Sequence, residues 1–61
     1  MKKLAKDLVP GDLIRVWFKK QPIVDMVISV EGDPDEETIV IYLKHSTRVY
    51  FRDTSITMFE G

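Results

Sequence analysis

From residue 13 onward, β-branched and aromatic residues recur at alternate positions, and Gly, Pro and Asp interrupt the runs. A period of two marks half-buried strands rather than helices. The first predicted strand covers residues 13–19, with Ile14, Val16 and Phe18 on one face and Arg15, Trp17 and Lys19 on the other. Gln21-Pro22 turns the chain into a second strand, residues 23–30, whose expected inner face is Val24, Met26, Ile28 and Val30. Gly32-Asp33-Pro34-Asp35 has turn chemistry. A third strand, residues 38–44, points Ile39, Ile41 and Leu43 inward, and His45-Ser46 is a tight turn. The fourth strand, residues 47–52, is expected to bury Val49 and Phe51, and the fifth, residues 55–59, to bury Ile56 and Met58. Ahead of them, residues 2–8 suit a turn or two of helix that Pro10-Gly11 stops. Short consecutive strands predict an all-β meander curled into a small five-stranded barrel with a short N-terminal helix or turn.

Length makes this architecture thin. With 61 residues, the chain is read as one domain over positions 1–61, and a domain of this size buries only about 60 % of the surface its unfolded chain exposes. With no Cys and one His, neither disulfides nor a structural zinc supplement the core. Oligomerisation is the common remaining supplement. No apolar run approaches the roughly 18 residues of a membrane span, so no membrane association is expected. Lys2, Lys3 and Lys6 enclose only Leu4 and Ala5, which is no signal-peptide hydrophobic region, and a cytoplasmic location is expected.

The net charge of -1 hides a segregation. Glu31, Asp33, Asp35, Glu36 and Glu37 place five of the ten acidic residues in one stretch, which leaves nine basic against five acidic elsewhere, a net of +4. The body is mildly basic, a weak pointer to a polyanion. The expected outer face carries Trp17, Val27, Val40, Tyr42, Tyr50 and Phe59 among its charges. So apolar an outer face in a short chain predicts a subunit interface, with Trp17, Val40, Tyr42, Tyr50 and Phe59 as its residues. The N-terminal helix over one end of the barrel is the alternative cover.

No catalytic constellation is evident. His45 lies in a predicted turn with no cysteine to pair with and no motif around Ser46, so an enzyme, a cofactor and a small-molecule substrate are all unexpected. The acidic stretch departs from the spacing of a calcium loop, and Pro34 restricts how it could wrap an ion, so it reads as a solvated loop and no metal is expected. Arg15, Trp17, Lys19, Lys44, Arg48, Tyr50 and Arg52 alternate onto one expected face. Cations that hold phosphates, interleaved with rings that stack on bases, suit a nucleic-acid surface, although any amphipathic strand gives the same alternation.

The run Val49-Tyr50-Phe51-Arg52-Asp53-Thr54-Ser55-Ile56 resembles the Sm2 signature of Sm-like proteins, with Asp53 where that signature usually has Gly. The first half matches in outline only, without the Sm1 asparagine. The resemblance implies a cyclic homo-oligomer of about five to seven subunits, in which the fourth strand of one subunit pairs with the fifth of the next. It also implies RNA on the loops before the third and fifth strands, which makes Arg52, with Asp53 and Asp33, the RNA-facing residues. The tight links are similar to those of compact barrels from phage and mobile-element genomes. Two other readings stand beside it. One is an SH3-type module in which Trp17, Tyr42 and Tyr50 form a groove for an extended peptide, and the other is a structural accessory subunit of a larger complex.

Overall fold

The computed structural model describes residues 1–59 of the chain. Its strands are β1 (Lys2–Leu4), β2 (Leu13–Phe18), β3 (Gln21–Glu31), β4 (Thr38–Leu43), β5 (Thr47–Phe51) and β6 (Ser55–Thr57). β2, β3, β4 and β5 form a curled antiparallel sheet in sequence order, and β1 pairs with β6 in a separate two-stranded ribbon. The ribbon joins the sheet through the Ile14–Met58 bridge and a bond from the Phe59 N–H to the Leu13 carbonyl (2.9 Å). The described residues are all β apart from one 3-10 turn, and none of their helices is long and apolar enough to cross a membrane.

That turn, Ala5–Asp7, occupies the stretch read as a helix, and Lys2–Leu4 before it is a strand. The local signal loses to tertiary pairing. The Ala5 and Lys6 N–H groups donate to the Thr54 and Arg52 carbonyls, at 2.8 and 3.1 Å, rather than back along a helix. Ala5 and Leu8 are thereby buried.

The core is Ala5, Leu8, Ile14, Val16, Val27, Ile39, Ile41, Leu43 and Ile56, with Ile23, Val30, Tyr50 and Met58 packed against it. β4 and β6 bury the predicted residues Ile39, Ile41, Leu43 and Ile56, and β2 buries Ile14 and Val16 but leaves Phe18 exposed at its end. β3 and β5 run in the opposite phase to the one expected. On β3 the inner residues are Ile23, Asp25 and Val27, while Val24, Met26 and Ile28 are exposed. A register shift between Val27 and Ser29 then returns Val30 to the core side, opposite Ile41. On β5, Tyr50 faces inward opposite Ile39, and Val49 and Phe51 are exposed at 62% and 64%. Of the residues expected on the outside, Val27 is therefore a core residue and Tyr50 is half-buried against the core.

Two glycines meet backbone demands. Gly11 has φ +97°, in the region that favours glycine. At Gly32 the chain passes so close to β4 that an added Cβ would lie 2.8 Å from the Ile39 Cγ2 methyl.

Candidate functional site

Asp25, the one buried charged residue described, is 2% exposed. Its carboxylate accepts from the Met26 N–H (2.9 Å), the His45 N–H (3.2 Å) and the Ser46 hydroxyl (3.5 Å). The group that His45 offers is its backbone N–H, so Asp25 clamps the β4–β5 turn and does not orient an imidazole. Among the described residues no cluster of three or more His, Cys, Asp or Glu converges as metal ligands would.

The residues assigned to RNA by the resemblance come together, but in acidic surroundings. The Arg52 guanidinium donates to the Asp33 carbonyl at 3.2 Å, and the Arg52 backbone N–H donates to the Glu37 carbonyl at 2.9 Å. The depression beside Arg52 is lined by Asp35, Glu36, Glu37, Phe51 and Asp53. Asp53 lies 3.9 Å from the Lys6 ammonium. A neighbouring hollow is lined by Glu31, Asp33 and Glu36. Both repel a phosphate backbone more than one arginine, already tied to the loop, attracts it.

The outer side of β3, β4 and β5 is a second surface. In register across it stand Val40 with Val49, Thr38 with Phe51, and Tyr42 with Thr47. Ile28 (51% exposed) adjoins them on β3. The Tyr42 hydroxyl donates to the Glu31 carboxylate (3.3 Å), whose negative charge pushes the phenol's pKa up. Five apolar side chains on three adjacent strands make a continuous patch of the kind that marks contact surfaces. Of the expected interface residues, Val40 and Tyr42 belong to this patch. Trp17, Tyr50 and Phe59 lie elsewhere, Phe59 being half-buried beside β2.

A third site lies at the seam where the sheet curls β2 toward β5, its two edge strands. The link across it is a side chain: Arg48 Nη2 donates to the Trp17 carbonyl at 2.7 Å. Arg48 Nε is buried at this seam and has no acceptor among the described residues. The cleft is lined by Arg15, Trp17, Tyr50, Thr54, Ser55 and Thr57, with no carboxylate. Burial pushes the Tyr50 phenol's pKa up, against the opposing pull of the Arg48 charge. Tyr42 is not part of this cleft, so the expected three-aromatic groove is not assembled. Sequence reasoning missed the seam because it forms only when the sheet curls, and Asp25 because its partners come from the distant β4–β5 turn.

Comparison with protein-family models, with curated proteins and with solved structures gives no match to this chain.

Proposed function

We propose that this chain is a non-enzymatic assembly subunit, a small barrel of the Sm-like or SH3-like kind that associates with copies of itself into a cyclic oligomer. The observation that carries this reading is β5. It is an edge strand whose outer residues Val49 and Phe51 are 62% and 64% exposed, and they continue into the apolar patch of Val40, Tyr42 and Ile28. A free edge with apolar, β-branched and aromatic residues is a template for pairing, and monomeric proteins usually protect such edges with charge or proline. The thin core supports the same reading, since a second copy buries surface that one copy cannot. The RNA role that the Sm-like resemblance attaches to Arg52 does not belong to this reading, because carboxylates surround that arginine.

Light scattering tests it. The wild-type mass is expected at a multiple of 7.1 kDa. The double variant Val49→Lys/Phe51→Lys is expected at the monomer mass, with an unchanged circular dichroism spectrum because neither side chain is buried. A wild-type monomer at high micromolar concentration, or an unchanged mass in the folded variant, overturns the assignment.

A further inference from the structure

The β2–β3 hairpin beside the seam has an unusual turn. Lys19 and Lys20 have φ +48° and +65°, and Phe18 pairs directly with Gln21, so the connection is a two-residue turn with both central residues left-handed. Such turns favour Asn-Gly. Two consecutive lysines in this conformation are locally unfavourable, and backbone strain of this kind is concentrated where a function retains it. Each lysine places a cation at the tip, and the Lys19 ammonium stands 5.4 Å from the centre of the Phe18 ring. Immediately before the tip, Trp17 is 68% exposed and Arg15 lies two positions back on the same face.

From the juxtaposition of this tip with the seam cleft, we infer that the hairpin and cleft form a binding site for single-stranded nucleic acid. The indole of Trp17 stacks on an unpaired base, and Arg15, Lys19 and Lys20 hold successive phosphates. The hydroxyls of Thr54, Ser55 and Thr57, together with the Tyr50 phenol, line the cleft with hydrogen-bonding groups for base edges and sugar. Charge separates this cleft from the other two hollows: it has a cation and no carboxylate in its lining, whereas they are lined by acids. A single exposed indole beside a narrow cleft suits unstacked bases better than a duplex, whose bases are already stacked. The site uses neither Arg52 nor the outward residues Val40, Tyr42, Val49 and Phe51, although its cleft borders the β5 edge, from which Tyr50 enters the lining.

Trp17 is the sole tryptophan, so its fluorescence reports directly on the site. The test titrates the full chain with oligo(U) and oligo(dT), and with poly-L-glutamate and vesicles containing phosphatidylserine as other polyanions. Expected are quenching of Trp17 by the oligonucleotides alone and salt-sensitive anisotropy of the labelled strands. Trp17→Ala is expected to weaken binding by about tenfold or more. The decisive variant is Lys19→Asn/Lys20→Gly, which installs the preferred turn pair and removes two cations. It is expected to unfold at a higher denaturant concentration than wild type while binding more weakly, with a salt slope reduced by about two. Arg52→Ala is expected to bind as wild type. The inference fails if the oligonucleotides leave Trp17 unquenched, or if poly-L-glutamate or the vesicles quench it equally. It fails too if the lysine variant binds undiminished, or if Arg52→Ala alone abolishes binding.

Discussion

Asp25 shows how one side chain can set the phase of a strand. An ionisable group is normally placed outward, and with Asp25 outward the alternation puts Val24, Met26 and Ile28 in the core. The structure makes the opposite choice because the β4–β5 turn presents the His45 N–H and the Ser46 hydroxyl to that position. A buried carboxylate is tolerated when donors surround it. Replacing Asp25 by Ala strands those donors and should lower stability by about 1–3 kcal/mol, read as a lower denaturation midpoint. Ser46→Ala, which removes only the 3.5 Å contact, should cost much less. Equal midpoints for Asp25→Ala and wild type would refute the clamp.

Asp12 acts through charge just ahead of β2. Its carboxylate accepts the Val9 N–H at 3.0 Å and a bond from the Lys3 ammonium at 3.1 Å. The Val9 hydrogen bond is the main reason its pKa lies below the ordinary aspartate value, with Lys3 adding to it against the opposing effect of burial. A carboxylate with a depressed folded pKa binds its proton more readily in the unfolded chain. Its stabilisation is therefore present above the unfolded value of about 3.9 and is lost as pH falls through the lower folded value. Urea midpoints measured from pH 6 downward should fall in that acidic window. In Asp12→Asn the fall should be shallower, and an identical profile would remove Asp12 from the account.

Among the strands, β4 and β6 were legible from alternation alone, because their inner positions are uniformly aliphatic, Ile39, Ile41, Leu43 and Ile56, while threonine, serine and tyrosine recur between them. β3 and β5 were not, since apolar residues occupy both of their faces: Val24, Met26 and Ile28 against Ile23 and Val27, and Val49 and Phe51 against Tyr50. Period-two reasoning finds such strands but cannot phase them. The bulge between Val27 and Ser29 compounds this by shifting the register within β3. The link between β3 and β4 depends on Gly32, whose missing side chain makes room for the Ile39 methyl. Gly32→Ala should therefore destabilise the fold by about 1–3 kcal/mol through overpacking. Gly32→Ala/Ile39→Val should recover part of that loss in thermal unfolding, and no recovery would place the strain elsewhere.

Across the whole molecule, three surfaces of different chemistry share one small curled sheet and its ribbon: an acidic depression around Arg52, an apolar patch over β3 to β5, and a basic, aromatic seam at Trp17. If assembly through the patch contributes to stability, mass action makes the melting temperature rise with protein concentration. The Val49→Lys/Phe51→Lys variant should lose that dependence. The separation of acidic from basic chain was visible in the charge pattern, and so was the interleaving of Arg15, Trp17, Arg48 and Tyr50. Which of these residues share a site was not, because Trp17 and Arg48 meet only when the sheet curls.

The all-β class and the approximate positions of β2 to β6, though not of β1, follow from the sequence through local physics, since β-branched alternation and turn chemistry act over a few residues. So does the polarity of the acidic stretch. The phase of β3 and β5, the burial of Asp25, the pairing of β1 with β6 and the seam that joins Arg48 to Trp17 arise from long-range packing. At those places both local alternatives were nearly equal in hydrophobic content. The outcome was set by hydrogen-bond donors and close contacts that distant strands supply only once the chain has folded.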